Sequence, residues 1–184
     1  MSEYSPAILF LIGASGVGKT TIVKSIQAYN TNPRLAFFYS DAQGVPSIDE
    51  MLEQAGSLER YQELLIHRHV KYITDNYLDT STVIFEGQAR FNFIEDACNR
   101  YGVREYTIIL IDCDWKDMRL RLCNERKQPE LANKDMQNWA LVLRKQAREG
   151  NISIIDTSKM MLEEAVEIVQ SYLTLLECAP RLIR

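Results

Sequence analysis

Short, uninterrupted runs of apolar residues alternate along this chain with longer segments whose apolar residues recur every three or four positions. Such a run is typical of a strand that is covered on both faces, as in a parallel sheet. The three-to-four spacing is typical of a helix with one apolar face. The pattern predicts strands at residues 7–12, 35–39, 82–85, 106–111 and 152–155. It predicts helices at residues 21–29, 48–55, 58–77, 92–101, 115–127, 133–148 and 159–177.

The order of these elements predicts the fold class. Strands that alternate with helices form a parallel sheet with helices on both faces, so we expect a three-layer α/β fold around a five-stranded parallel sheet. The chain has 184 residues, of which 46% are hydrophobic and 25% charged, as in an ordinary globular domain. Because no linker or repeat divides it, we predict a single domain over residues 1–184. The strand ends should meet at one edge, where open α/β sheets bind ligands.

The strongest chemical signal is the octapeptide Gly-Ala-Ser-Gly-Val-Gly-Lys-Thr at residues 13–20, between the first predicted strand and the first predicted helix. It satisfies the P-loop pattern, in which glycines let successive N–H groups point at phosphate oxygens and the helix N-terminus adds positive charge. We expect Lys19 to contact the β- and γ-phosphates and Thr20 to bind Mg²⁺, so the sequence predicts a P-loop NTPase fold that binds a nucleoside triphosphate and magnesium. The predicted nucleotide-binding residues are Gly13, Ser15, Gly16, Val17, Gly18, Lys19, Thr20 and Thr21.

Acidic residues follow the second and third predicted strands. Asp41 comes shortly after the strand at residues 35–39, and Glu86 directly follows the strand at residues 82–85. A carboxylate at such a strand end can order the water shell of a bound magnesium ion, which we predict for Glu86. Alternatively, Glu86 lies in an ordinary surface turn, and Asp41 hydrogen-bonds the backbone of its own turn.

Charge limits the classes of function. The net charge of −4 argues against a protein that binds nucleic acid through a broad basic surface. Residues 114–148 differ, because they hold nine Lys/Arg against five Asp/Glu. This excess favours a local anionic ligand, although a solvated helix face would also produce it. His67 and His69 lie two positions apart on a predicted helix and face different sides, so we interpret both as ordinary helix residues.

The sequence predicts a soluble cytoplasmic protein. Residues 1–6 are too short and polar for a signal sequence, and no apolar run approaches the roughly 20 residues of a membrane span. The cysteines have neither metal-site spacing nor the density of a secreted disulfide framework. We therefore expect reduced, mostly buried thiols at Cys98, Cys113, Cys123 and Cys178.

In these motifs and in the order of its elements, nearly the whole chain resembles the small P-loop kinases of the nucleoside-monophosphate-kinase, shikimate-kinase and gluconate-kinase group. Residues 83–90, Val-Ile-Phe-Glu-Gly-Gln-Ala-Arg, are similar to the hydrophobic run and Asp-Gly-Phe-Pro-Arg motif of adenylate kinases. The resemblance implies that Gln88 and Arg90 bind the acceptor substrate and that Asp41 approaches an acceptor hydroxyl. Within this run the chain has Glu in place of the motif's Asp and Gln-Ala in place of its Phe-Pro, so the acceptor stays unassigned.

The basic segment is similar to the lid of these kinases, a helical flap whose arginines close over the transferring phosphoryl group. The resemblance places the lid at about residues 115–148 and implies that Arg126 acts in catalysis and Arg144 in substrate binding. Arg121 and Arg126 are spaced one residue wider than the Arg-x-x-x-Arg pattern common in adenylate kinases. Residues 156–158 occupy the position where this group packs main chain against adenine. The helical pattern predicts outward-facing side chains for Arg119, Arg121, Arg126, Arg144 and Arg148.

The sequence thus predicts an ATP-dependent, Mg²⁺-dependent kinase whose acceptor is a hydroxyl or phosphate group of a small molecule. Lys19, Asp41 and Arg126 are its predicted catalytic residues. A nucleoside monophosphate kinase proper is one alternative, and a slow NTP-hydrolysing switch that binds a protein partner is another. A kinase or repair enzyme acting on polynucleotide ends is a third, which the acidic charge balance disfavours.

Overall fold

A computed structural model describes residues 6–42 and 44–178, and its centre is a sheet. The strands are β1 (Ile8–Ile12), β2 (Leu35–Tyr39), β3 (Thr82–Gly87), β4 (Tyr106–Asp112) and β5 (Ser153–Asp156). They form a five-stranded sheet in the order β2-β3-β1-β4-β5, and every pairing is parallel. The predicted five-stranded parallel sheet is therefore confirmed.

Helices connect consecutive strands as the apolar spacing predicts. They are α1 (Lys19–Tyr29), α2 (Ile48–Ala55), α3 (Leu58–Asn76), α4 (Phe91–Tyr101), α5 (Trp115–Leu120), α6 (Lys134–Glu149) and α7 (Leu162–Cys178). Helix α2 has the predicted bounds, because the Ser47 hydroxyl accepts from the Glu50 backbone N–H while the Glu50 carboxylate accepts from the Ser47 N–H. Gly56 ends it in the left-handed conformation.

Apolar side chains on the two faces of the sheet form separate cores. On one face, Leu9 and Leu11 of β1 belong to a cluster with residues of α1 and α7. On the other face, Ile8 and Phe10 belong to a cluster with residues of α3 and α4. Strand β1 pairs with β3 and β4, and all five of its residues are fully buried. The three-layer α/β prediction is therefore confirmed.

The parallel arrangement brings all the carboxyl ends of the strands to one edge. Tyr39 at the end of β2 pairs with Glu86, and Asp112 at the end of β4 pairs with Asp156 of β5. The segment that follows β1 leads into α1 at this same edge. The predicted nucleotide loop and the two predicted acidic strand ends therefore lie on one side of the sheet.

The segment between β4 and α6 differs from the single helix predicted at residues 115–127. Helix α5 ends at Leu120 and continues as a π-helical turn, Arg121–Glu125, closed by a hydrogen bond from Arg126 N to Arg121 O of 2.9 Å. A 3₁₀ turn, Pro129–Leu131, follows, so the helix stops before Pro129 as predicted. Leu122 of the π-helical turn and Leu143 of α6 are fully buried, so parts of the predicted 115–148 lid contribute to the core.

The remaining structural predictions concern cysteines, histidines and the membrane. Cys98 and Cys113 are free and buried, as predicted, whereas Cys123 is free and half-buried. His67 and His69 are half-buried residues of α3, and among the described residues no group of His, Cys, Asp and Glu is arranged to hold a metal. Within the same residues, no helix is long and apolar enough to cross a membrane. Predictions about the first five residues and the Cys178 thiol lie outside the described residues.

Candidate active site

The loop between β1 and α1 has the conformation that its glycines allow. Gly18, the residue before α1, has a φ of 100°, a left-handed backbone that favours glycine. A Cβ atom on Gly13 would overlap the carbonyl oxygen of Ile111 in β4, so only glycine permits this close approach. The N–H groups at the start of α1 lie free of side-chain caps, which leaves them available to an anion.

Lys19 is the centre of the charged groups at this edge. Its side chain is 6% exposed, donates a hydrogen bond to the Ala14 carbonyl oxygen (3.0 Å) and lies 3.6 Å from Oε1 of Glu86. Burial lowers the pKa of Lys19, the charges of Glu86 and Asp41 oppose this shift, and the charge of Arg126 adds to it. Glu86, Asp41 and Arg126, which are predicted for metal binding or catalysis, are thus each close enough to act electrostatically on Lys19.

The two predicted carboxylates occupy different environments. Glu86 at the end of β3 is 7% exposed, so it is not the acid of an ordinary surface turn. Asp41 is exposed and accepts a hydrogen bond from the Ser40 hydroxyl (3.2 Å). The turn after Asp41 is closed by main chain, from Gly44 N to Asp41 O (3.0 Å). The Asp41 carboxylate is therefore accessible to a ligand at the strand edge.

A cavity of about 560 Å³ extends from the nucleotide loop to the start of α7. Thr157, at the end of β5, is buried there and lies in the 156–158 segment predicted to contact the base. Helix α7 begins three residues later than predicted, and Met161 is 65% exposed rather than buried. Its side chain lines the cavity instead of the core. The lining residues are Gly16, Gly18, Lys19, Thr20, Thr21, Ile22, Lys24, Arg121, Glu125, Arg126, Thr157, Met160, Met161, Leu162 and Ala165.

Arg121 belongs to the site, although the helical pattern predicts an outward-facing side chain for it. Its guanidinium donates to Val17 O (3.2 Å), to Thr157 Oγ1 (2.9 Å) and to Thr157 O (2.8 Å). The Thr157 hydroxyl in turn lies 2.9 Å from Val17 O. The arginine therefore links the π-helical turn, the nucleotide loop and the residue that follows β5. Only the unusual Arg121–Arg126 spacing hinted at this role in the sequence.

The π-helical turn explains how that wider spacing is accommodated. An i→i+5 hydrogen bond includes one residue more than the α-helical i→i+4 bond, so it absorbs the extra residue between the arginines. Arg121 and Arg126 both line the cavity as a result. Arg126 is exposed, as predicted, and its charge acts on Lys19.

Arg144 was expected to be exposed for substrate binding, but the structure gives it other partners. Its side chain is 27% exposed, and its Nε donates to Asp112 Oδ2 (2.5 Å). Its Nη2 donates to Asp112 Oδ1 (3.1 Å) and to Cys113 O (3.2 Å). The hydrogen bond to Asp112 raises the pKa of Arg144 further above its ordinary value. Arg144 is half-buried because it satisfies a buried carboxylate at the end of β4.

Gln88 and Arg90, two of the residues predicted for acceptor binding, lie between β3 and α4. The Gln88 amide donates to the Ser15 hydroxyl of the nucleotide loop (3.2 Å). Arg90 precedes α4, with its Nε 3.5 Å from Oε1 of Glu59 and its guanidinium carbon 5.7 Å from the centre of the Trp139 ring. The Glu59 side chain is 64% exposed, so its ion pair with Arg90 is weak.

The donors expected for magnesium have suitable chemistry. Thr20 offers a hydroxyl at the cavity, and Glu86 offers a carboxylate beside Lys19. Both are hard oxygen ligands of the kind that Mg²⁺ prefers, and Mg²⁺ commonly takes one or two protein oxygens in addition to phosphates and waters. The residues present therefore fit the predicted ion.

Comparison with known proteins defines the fold class. No protein-family profile and no curated protein sequence matches the chain, whereas solved structures do. A sugar kinase from Janibacter sp. HTCC2649 is 16% identical, over 92% of this chain and 95% of that one, with a TM-score of 0.68. A gluconokinase from Sinorhizobium meliloti 1021 is 13% identical (95% and 94% covered, TM-score 0.62). The shikimate kinase of Acinetobacter baumannii, solved with shikimate, is 16% identical (94% and 93% covered, TM-score 0.54). The chain has the fold of the P-loop small-molecule kinases, as the resemblance implied.

Proposed function

We propose that this protein is a kinase that transfers a phosphoryl group from ATP, with Mg²⁺, to a small-molecule acceptor. The observation that carries the proposal is the position of Lys19, which lines the cavity with Arg126, lies 3.6 Å from Oε1 of Glu86 and is influenced by the charge of Asp41. Phosphoryl transfer needs positioning and charge stabilisation more than covalent chemistry by the protein. Two cations and two carboxylates around a phosphate-binding loop supply those functions.

The nucleotide end of the site is proposed to work as follows. Lys19 exchanges its hydrogen bond to Ala14 O for the β- and γ-phosphate oxygens. Thr20 and Glu86 would hold Mg²⁺, which would neutralise phosphate charge when bound. Arg126 is exposed near Lys19 and supplies positive charge where negative charge spreads in the transition state. Closure of the exposed residues around Arg126 would exclude water from the phosphates.

The acceptor end is proposed to lie around Asp41 and Arg90. The accessible carboxylate of Asp41 orients an acceptor hydroxyl and takes its proton. Arg90 is held only weakly by the exposed Glu59, so an anionic group of an acceptor can replace that carboxylate. A nucleoside monophosphate is the second candidate acceptor, because Arg90 at the proposed acceptor end can bind its phosphate group.

The test is ADP release from Mg·ATP with a panel of acceptors: nucleoside monophosphates, nucleosides, sugars, sugar acids, shikimate-like acids and aminoglycosides. An acceptor-specific acceleration supports the kinase and names its substrate class. A slow rate that no acceptor changes contradicts the kinase and favours an NTP-hydrolysing switch. Lys19→Ala should abolish turnover and nucleotide-dependent stabilisation, and unchanged turnover would remove the P-loop from the mechanism.

Asp41 is tested separately with the acceptor found in that panel. If Asp41 is the acceptor base, Asp41→Asn should lower turnover by about 100-fold or more without weakening ATP binding. Asp49→Asn, at an exposed position on α2, is the matched control and should keep full activity. An effect of Asp41→Asn below about tenfold would show that the residue has a structural function only.

A further inference from the structure

The end of the cavity remote from the nucleotide loop is apolar. Met160, Met161, Leu162 and Ala165 line it at the start of α7. Met161 is 65% exposed and Leu162 is 38% exposed, although both are large apolar side chains. Methionine is flexible and polarisable and packs against surfaces of different shape. This wall can therefore cover the face of any nucleobase.

Polar groups beside this wall already have partners within the protein. The Thr157 hydroxyl lies 2.9 Å from Val17 O, and Arg121 donates to Val17 O and to both oxygens of Thr157. The Ser158 hydroxyl donates to Asp156 Oδ1 (2.6 Å) and accepts from Asp114 N (2.7 Å). None of these side chains needs a base to complete its hydrogen bonds.

Three main-chain donors of the same segment are also engaged, and the two between Ser158 and Met161 belong to Lys159, which is exposed, and Met160, which is half-buried. Thr157 N donates to Asp112 O (2.9 Å), Ser158 N to Asp156 Oδ1 (2.9 Å) and Met161 N to Glu164 Oε2 (2.8 Å). Main-chain N–H groups can distinguish adenine from guanine, because along the hydrogen-bonding edge of the base one purine has an acceptor where the other has a donor. These three N–H groups are therefore not available to hydrogen-bond either base.

We propose that the nucleotide site of this protein accepts purine and pyrimidine triphosphates with little discrimination, and that Met161 contributes affinity for all of them by apolar contact with the base. The inference rests on the proposed function, because it concerns the phosphoryl donor of that site. A site rejects the wrong ligand by factors of roughly 10⁴ to 10⁵ only when buried polar groups would be left unpaired, whereas apolar contacts discriminate by about 10 to 200. The charged side chains that also line the cavity, Lys24, Glu125 and Arg126, are exposed and regain water if a base leaves them unpaired.

Binding is measured by isothermal titration calorimetry of the full chain with the Mg²⁺ complexes of ATP, GTP, CTP, UTP and inorganic tripolyphosphate. The four nucleotides should bind with dissociation constants within about tenfold of one another. A preference of 100-fold or more for one base overturns the inference and leaves the proposed kinase intact. Absence of binding by all five ligands overturns the inference together with the proposed function.

Met161→Ala tests the residue itself. Because Met161 is mostly exposed, its truncation should not affect folding, and it should weaken the four nucleotides by a similar factor of about three to ten. Tripolyphosphate, which has no base, should bind the variant as it binds the wild type. Leu175→Ala, at a position of α7 that is 67% exposed and outside the cavity lining, is the control. A loss confined to one base, or an equal loss for tripolyphosphate, would contradict the assignment of Met161.

Discussion

The pair formed by Arg144 and Asp112 makes a prediction that separates stability from catalysis. Replacing Arg144 with methionine keeps most of the side-chain volume and removes the guanidinium. The Asp112 side chain is 8% exposed and would lose both of its hydrogen bonds from Arg144 together with the positive charge. The carbonyl oxygen of Cys113 would lose a donor as well. We therefore expect Arg144→Met to destabilise the fold even without any substrate.

The expected magnitude follows from the burial of the two partners. Removing one partner of a fully buried ion pair costs about 3–5 kcal/mol, because the other charge stays buried and unpaired. Arg144 is 27% exposed, so water can partly reach the vacated space, and we expect a loss of about 2–3 kcal/mol. For a domain of this size that corresponds to a fall in Tm of about 5–10 °C.

Chemical denaturation of four proteins tests this reasoning. The free energy of unfolding is compared for wild type, Arg144→Met, the double variant Arg144→Met/Asp112→Asn and the control Arg148→Met, whose arginine is exposed one turn along α6. The double variant removes the unpaired charge and should recover about 1 kcal/mol or more, and the control should stay within about 0.5 kcal/mol of wild type. An Arg144→Met protein as stable as the control, with normal nucleotide binding but a raised KM for its acceptor, would refute the structural explanation and support the predicted substrate binding by Arg144.

Two further predictions concern Arg121 and His69. Arg121→Met should weaken Mg·ATP binding by about tenfold in calorimetry, because it removes charged hydrogen bonds that fix Val17 and Thr157; a change below about twofold would contradict this. His69 packs against Phe38 and Phe85, at ring-centre distances of 5.1 and 5.8 Å. Burial, helped by Arg68 and opposed by Asp41, lowers its pKa from 6.5 to about 4. Between about pH 6.5 and pH 4, the His69 imidazole is protonated in the unfolded chain but not in the folded one. The free energy of unfolding should therefore fall by about 2–3 kcal/mol as the pH is lowered from 6.5 to 4, and His69→Phe should lack this component. Equal pH dependence of unfolding in wild type and variant would contradict the shift.

The parts of the fold that the sequence predicts well are specified by neighbouring residues. The bounds of α2 follow from the Ser47–Glu50 capping box and from Gly56, which lie within or beside the helix. The conformation of the nucleotide loop follows from its own glycines. The acidic residues at the ends of β2 and β3 come to one edge because parallel strands leave no other arrangement.

The arginines of residues 115–148 show where this reasoning fails. Arg121, Arg126 and Arg144 have the same side chain and similar helical contexts, so periodicity predicts outward positions for all three. Their positions are instead decided by groups far away in sequence: Arg121 by Val17 and Thr157, Arg144 by Asp112. Of these three, Arg126 alone keeps the predicted exposure. The contact between an arginine and a buried carboxylate or carbonyl oxygen depends on the tertiary structure, which is information that a helical pattern does not contain.

The start of α7 shows a second limit of the same method. Met161 and Leu162 fit the apolar spacing of α7, and that spacing predicts burial for both. A pattern of apolar residues identifies a surface that avoids water, but the covering group can be either the protein core or a ligand. Here α7 begins beyond Met161, and both side chains line the cavity next to the nucleotide loop. Under the inference drawn above, a bound nucleobase would cover both side chains and remove their apolar surface from water.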